Sequence, residues 1–183
     1  AVLEKLMLEG VRRQGESKNT VFNVARYGNV LGTRGSVVPF WREKLAQRVP
    51  LPVTNPEMTR FFFTLDEATD LIDFCLLQDE GLIISKRMNA CSLADLATAM
   101  EDENGHVVVG ERPGEKLHEQ LLSEDEMSKT SLVLDESGDH FWVFDPSGQR
   151  VEWDNSESIT EYNSHNAPQL TVPEIQELLS KVD

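Results

Sequence analysis

"TVFNVARYGNVLGTRGSVVPFW" (residues 20–41) changes its pattern twice along its length. Residues 20–29 carry Val21, Phe22, Val24 and Tyr27, β-branched and aromatic side chains that suit a pleated strand. "GTRGS" (32–36) then reads as a loop. Ser36 stands where a helix cap belongs, and Pro39 falls in the first turn, where its missing N–H does no harm. A helix is therefore expected from about Val38 to Gln47. Strand, glycine loop and helix in this order point to an α/β fold. In open sheets of that class, ligands lie beyond the carboxyl ends of strands. Gly28, Gly32 and Gly35 stand at such a place, where glycine lets backbone N–H groups approach an anion. Their spacing matches neither the P-loop nor the dinucleotide pattern, and on their own they read more readily as turn formers.

Outward from this stretch the alternation continues. Residues 2–9 read as a helix with Val2, Leu3, Leu6 and Met7 on one face and Gly10 as its stop. No Ser, Thr, Asp or Asn precedes that helix, so the chain is expected to begin inside an element. "RVPLPVTNPEM" (48–58) reads as extended because of its X-Pro steps. Thr64 and Glu67 form a capping box ahead of Leu65, Ala68, Leu71, Ile72 and Cys75. "GLIIS" (81–85) reads as a buried strand, Ser92 caps a helix to about Met100, and "HVVVGE" (106–111) is another strand. A short helix is expected after the Arg112-Pro113-Gly114 turn. Ser123 with Glu126 caps the next helix, "DHFWVFD" (139–145) is a late strand, and 145–165 is polar and loop-like. Thr171, Pro173 and Glu174 open a last helix to Val182.

Composition excludes several functions. Thirty-two acidic residues against seventeen basic ones give a formal charge of −15 over 183 residues. Nucleic acid and anionic membrane surfaces need the opposite balance. No apolar run is long enough to span a bilayer, and the amino terminus does not have the form of a signal peptide. Cys75 and Cys91 sit among apolar or small residues, as buried free thiols of a reducing, cytoplasmic compartment would. No Cys or His spacing supports a metal site, and nothing orders Ser, His and Asp into a triad.

Two further segments could hold an anion. Arg60 stands beside Phe61, Phe62 and Phe63, either as a stem packed on a core edge or as a guanidinium fixed for a phosphate. Arg112 leaves a strand end at a Pro-Gly turn, with Glu115 and Lys116 following. An anion there could meet Arg112 together with helix N–H groups, while Glu115 could accept from a ribose diol. A solvated turn with self-paired charges fits the same residues.

"RYGNVLGTRGSVVPFW" (26–41), "PVTNPEMTRFFFTLDEATDLI" (52–72) and "GERPGEKLHEQLLSEDE" (110–126), in this order, resemble the carboxyl-terminal half of the UDP-N-acetylglucosamine 4,6-dehydratases. These are extended short-chain dehydrogenase/reductases of polysaccharide biosynthesis. "ITEYNSHNAPQLTVPEIQELL" (159–179) is similar to the tail of members that make deoxy-amino sugars. The resemblance implies that Asn29 and the loop carrying Arg34 lie near the sugar and diphosphate. It places Ser36, Val37 and Val38 close to the nucleotide, Arg60 and Arg112 at the diphosphate, and Glu115 at the ribose. It implies one truncated domain over 1–183, with 1–32 and about 81–100 as remnants of the Rossmann layer. Residues 33–80 and 101–183 would be the substrate-binding part and tail.

Family members hold NADP or NAD on a Gly-x-x-Gly-x-x-Gly loop and use a Tyr-x-x-x-Lys. Neither motif occurs in these 183 residues. "AVLEKLMLEG" (1–10) resembles the stretch just after that lysine, so the amino-terminal cofactor half is expected to be absent. The whole enzyme would oxidise carbon 4, eliminate water across carbons 5 and 6, and return hydride to carbon 6. These residues alone are expected to bind a UDP-sugar, to bind no dinucleotide well, to hold no metal and to be catalytically silent. A 4-epimerase fragment is the near alternative. A non-catalytic module that self-associates through uncovered apolar faces is another, and a homo-oligomer is expected.

Overall fold

The computed structural model describes residues 2–13, 20–79, 81–148 and 159–182. In chain order the helices are α1 (Val2–Arg13), α2 (Val37–Ala46), α3 (Leu65–Leu76), α4 (Leu93–Met100), α5 (Glu124–Met127) and α6 (Val172–Ser180). The strands are β1 (Val24–Ala25), β2 (Asn29–Val30), β3 (Leu51–Val53), β4 (Thr59–Phe63), β5 (Ile83–Lys86) and β6 (Ala90–Ser92). They continue with β7 (His106–Val108), β8 (Gln120–Leu122), β9 (Thr130–Leu134), β10 (His140–Phe144) and β11 (Tyr162–Asn163). The chain forms two compact units, each made of separate stretches.

The first unit takes residues 1–27, 67–87 and 121–162. Its sheet has the order β1-β5-β10-β9, with β1 parallel to β5 and the β5/β10 and β10/β9 pairs antiparallel. Leu71, Phe74, Ile84, Phe141 and Val143 fill one face, and the Phe74 and Phe141 rings stack with centroids 4.0 Å apart. Arg26 spends all its N–H groups in this unit. It meets Glu4 through Nε (2.7 Å) and Nη2 (3.0 Å), Glu126 through Nη1 (2.9 Å) and Nη2 (2.8 Å), and the Leu121 carbonyl through Nη1 (2.6 Å). The buried Lys86 ammonium is held by Asp139 at 2.8 Å, as a charge removed from water requires.

The second unit takes residues 28–66, 88–120 and 163–183. It holds the sheet β2-β4-β6 and the parallel pair β3-β7. Its core joins Val38 and Trp41 of α2, Leu51 and Val53 of β3, Phe62 of β4, Leu96 of α4, and Ile175 and Leu179 of α6.

Several expectations need correction. The strand expected over 20–29 is two short strands serving different sheets: β1 pairs with β5 and β2 with β4. Asn23 ends regular pairing at one side, because its side chain bonds the Cys75 carbonyl and the Leu82 N–H. Gly10 does not stop α1, which runs on to Arg13; a Cβ there would make ordinary contact with the Phe22 ring. The phenylalanine run after Arg60 is a strand, and all three rings are buried. No helix follows the Arg112-Pro113-Gly114 turn. Residues 117–118 instead lie beside β4, where the Thr59 N–H donates to the Leu117 carbonyl. Of the polar stretch at 145–165, residues 149–158 lie outside the described residues, and its end supplies β11.

The helix signals fare better. Ser92 Oγ accepts from the Asp95 N–H, and capping boxes form at Ser123/Glu126 and Thr171/Glu174. Cys75 and Cys91 are buried free thiols.

Candidate functional site

The second unit contains a cleft of about 500 Å³. It lies where the β2–α2 loop, the start of α2, β4 and the 112–115 turn come together. Six of the residues expected from sequence line it: Asn29, Ser36, Val37, Arg60, Arg112 and Glu115. Phe40, Trp41 and Phe62 add an aromatic wall that sequence reasoning did not assign to the site. The i to i+4 spacing of α2 could have revealed Phe40 beside Ser36 and Val37.

Two expected residues do not line it. Arg34 is exposed and is not among the residues lining the cleft. The Val38 side chain is fully buried in the core, so only its backbone N–H can serve a ligand.

The start of α2 leaves donors uncapped. Val37 and Val38 N–H groups have no carbonyl four residues back inside the helix, and Pro39 has no N–H at all. Ser36 occupies the cap position with extended backbone, yet its side chain makes no capping bond. Its Oγ is buried and unpartnered among the described residues. An N-cap serine normally satisfies its own helix, and an orphaned buried hydroxyl costs about 1–3 kcal/mol. An anion at the helix start would accept from the Ser36 hydroxyl and from both N–H groups.

The two arginines contribute differently. The Arg60 side chain is only 12% exposed, and most of its donors are used. Nη1 donates to the Thr59 (2.7 Å) and Leu117 (3.2 Å) carbonyls, Nη2 to Met58 Sδ (3.3 Å), and Nε lies 3.6 Å from Glu119. Burial pushes the Glu119 carboxyl up, while the Arg60 charge pulls it back. Arg60 thus lends the cleft charge but few free N–H groups. Arg112 is exposed, and its guanidinium bonds no described residue. Its backbone N–H donates to Glu115 Oε2 at 3.0 Å, which closes the turn and holds Glu115 at the cleft. Gly114, at φ +88°, makes that turn possible. Glu111 ties the turn to Asn55 at 2.7 Å.

The dinucleotide implied by the resemblance would need a glycine turn open to a pyrophosphate. The Gly32 turn does not fit it. A methyl group at Gly32 would stand 2.0 Å from Val182 Cγ1, so that face is filled by the chain's own tail. The described residues contain no cluster suited to a metal ion, and none of their helices is long and apolar enough to cross a membrane.

This α/β fold is that of the carboxyl-terminal portion of an extended short-chain dehydrogenase/reductase. A crystal structure of Pen from Bacillus thuringiensis superposes with a TM-score of 0.80 at 29% identity, over 97% of this chain and 54% of that one. The chain belongs to the polysaccharide biosynthesis protein family, whose model matches residues 1–136; the model of the family's C-terminal region matches 153–183. It is 33% identical over its whole length to a UDP-glucose 4-epimerase of Rickettsia felis, of which it spans 56%. It is 36% identical over 78% of its length to an inverting UDP-N-acetylglucosamine 4,6-dehydratase of Campylobacter jejuni, of which it spans 42%. The 183 residues thus span about half the length of the relatives they match.

Proposed function

We propose that the cleft of the second unit binds the diphosphate and ribose of a UDP-sugar, as the substrate-binding half of a nucleotide-sugar 4,6-dehydratase. The observation that carries this reading is the convergence of Arg112, the orphaned Ser36 Oγ and the start of α2 on one cleft of a chain charged −15. Arg60 and Arg112 are matched there by Glu43 and Glu115, so the lining is formally neutral on a chain charged −15, and a dianion meets less repulsion in the cleft than over the bulk of the surface. The Val37 and Val38 N–H groups and Ser36 Oγ hold the phosphate oxygens, Arg112 neutralises them, and Glu115 accepts from the ribose hydroxyls. Calorimetry should show weak, saturable binding of UDP and of UDP-N-acetylglucosamine, lost in Arg112→Ala. Unchanged binding in that variant would remove Arg112 from the site.

The hydride carrier, NADP or NAD, and the catalytic base belong in this reading to the half of the enzyme that these residues do not supply. The isolated chain is therefore proposed to be catalytically silent. Dehydration of UDP-N-acetylglucosamine by the pure chain with added NADP would refute that.

A 4-epimerase is the second reading. Relatives from several Rickettsia bear that name at 33–34% identity over all of this chain, whereas the dehydratase alignment covers 78% of it. Product analysis on a protein that joins this chain to a complete cofactor half separates them: a 4-keto-6-deoxy sugar for the dehydratase, the 4-epimer for the other.

A further inference from the structure

The loop from Gly32 to Ser36 has little support of its own. Its internal bonds are Ser36 N–H to the Thr33 carbonyl (3.0 Å) and Thr33 Oγ1 to the Val30 carbonyl (2.8 Å). At its tip, Gly35 has φ +82°, and a Cβ there would meet nothing within 4 Å. Yet this loop must present Ser36 Oγ and the first α2 N–H groups to the cleft in one arrangement.

The carboxyl-terminal end of α6 touches the chain at the start of that loop and again after it. At its first residue, the Val182 side chain packs on Gly32, and a Cβ there would have to displace the Val182 Cγ1 methyl. After it, Arg42 Nη2 donates to the Leu179 (3.1 Å) and Val182 (2.5 Å) carbonyls. These carbonyls belong to the last turn and tail of α6, where a cation is favoured; that of Leu179 also accepts from the Val182 N–H at 3.3 Å. Beneath them, Ile175 and Leu179 share a core with Val38 and Trp41. Arg42 itself is not among the residues lining the cleft.

We infer that the α6 terminus is a positioning element for the anion site: Arg42 and Val182 fix the Gly32–Ser36 loop and the start of α2 in the geometry the ligand needs, without touching the ligand. This rests on the reading that the cleft takes a nucleotide diphosphate. Order supplied before binding need not be supplied by the ligand, so losing it lowers affinity.

The test compares the full chain with Arg42→Met, Arg42→Lys and Val182→Ala by two readouts. The first is hydrogen exchange of peptides over residues 31–38 without ligand, which reports local opening directly. The second is titration with UDP. Arg42→Met should speed exchange over 31–38 and weaken UDP binding, each by roughly tenfold, the scale of a lost charge-assisted contact. Exchange over β6 and α4 should stay unchanged. Arg42→Lys should recover part of both, since an ammonium still reaches one carbonyl. Val182→Ala, which trims the methyl groups on Gly32 and leaves the Arg42 bonds in place, should speed exchange over 31–38 to a smaller degree. It judges the inference if Arg42→Met does not fold. Unaltered exchange over 31–38 in both Arg42→Met and Val182→Ala overturns the inference, and so does weaker binding without faster exchange. Failure of the unsubstituted chain to bind UDP overturns the reading of the cleft instead, and the ligand-free exchange still decides whether the α6 terminus holds the loop.

Discussion

Arg60 and Arg112 line the same cleft but offer it different things: Arg112 a guanidinium with no described partner, Arg60 one already bonded to Thr59, Leu117 and Met58. Their substitutions should therefore separate. Arg112→Ala should leave thermal stability unchanged and weaken UDP binding by about 10- to 100-fold, as expected for lost hydrogen bonds to a charged group. Arg60→Ala should destabilise by roughly 2–4 kcal/mol, because it leaves the half-buried Glu119 without its cation. Melting curves and UDP titrations on both variants check this. Equal losses of stability would show that the burial of Arg60 does not matter.

Arg26 gives the first unit an acid-sensitive joint. Its guanidinium bonds hold the Glu4 and Glu126 carboxyls below their usual value of 4.5. The folded state therefore binds these protons less readily than the unfolded chain. The stabilisation is fully present above about pH 4.5 and is lost as pH falls through the lowered values. Arg26→Met should cost roughly 1–3 kcal/mol near neutrality, less than a fully buried pair because both carboxylates keep some contact with water. It should also flatten the loss of stability below pH 5. Urea melts at several pH values compare the two proteins, and parallel pH profiles would contradict the assignment.

The sequence made much of the order of elements and much of the lining of the candidate cleft legible because local chemistry governed them. Ser92, Ser123 and Thr171 mark helix starts through bonds to residues three places on, which are visible in the sequence. The loop around Ser36 and the turn at Arg112 were likewise set by glycines and a proline. What stayed hidden depends on distant partners. Arg60 read equally as a packed stem or a phosphate ligand, and contacts with Leu117 and Glu119, more than fifty residues away, decide its surroundings. The role of Arg26 required Glu126, a separation of 100 residues. The expected helix after Gly114 gave way to strand-like pairing with Thr59, which no periodicity in 115–119 announces. Val38 was placed near the nucleotide with its neighbours, and helix geometry turned its side chain into the core instead.

Gly28 is required by a neighbour rather than by a turn. A Cβ at this position would stand 2.3 Å from Phe61 Cβ and 2.9 Å from the Phe61 carbonyl oxygen. Phe61 belongs to β4, fully buried between β2 and β6, so its backbone has no room to retreat. Gly28→Ala should destabilise by roughly 1–3 kcal/mol through overpacking. Gly35→Ala adds no contact and should cost less, the strain of its positive φ alone. Equal effects in thermal melts would show that the approach to Phe61 is relaxed in solution.

Both thiols should be slow to react. Burial pushes Cys75 up to about 11 and Cys91, which also lies near Asp95, up to about 12. At pH 8 each therefore presents little thiolate, and access is restricted as well. Labelling with a disulfide reagent should proceed far more slowly than in urea, with Cys91 behind Cys75. Exposed-thiol rates in the native protein would show that these residues leave the core readily.

The remaining prediction concerns association. On α1, Val2, Leu3 and Leu6 are 74%, 77% and 62% exposed, and Ile72, Leu76 and Leu77 at the end of α3 are also uncovered. An amphipathic helix gains most of its stability by burying such a face, so a second surface is expected to cover it. Between chains of charge −15 long-range repulsion opposes that contact, and added salt screens the repulsion while leaving apolar burial intact. Light scattering should therefore show larger species at 0.5 M than at 0.05 M salt, concentrations chosen to bracket a Debye length of about 10 Å. Leu3→Glu with Leu6→Glu should restore the monomer at both. A monomer at high concentration and high salt without these substitutions would show that self-association is not a property of these 183 residues.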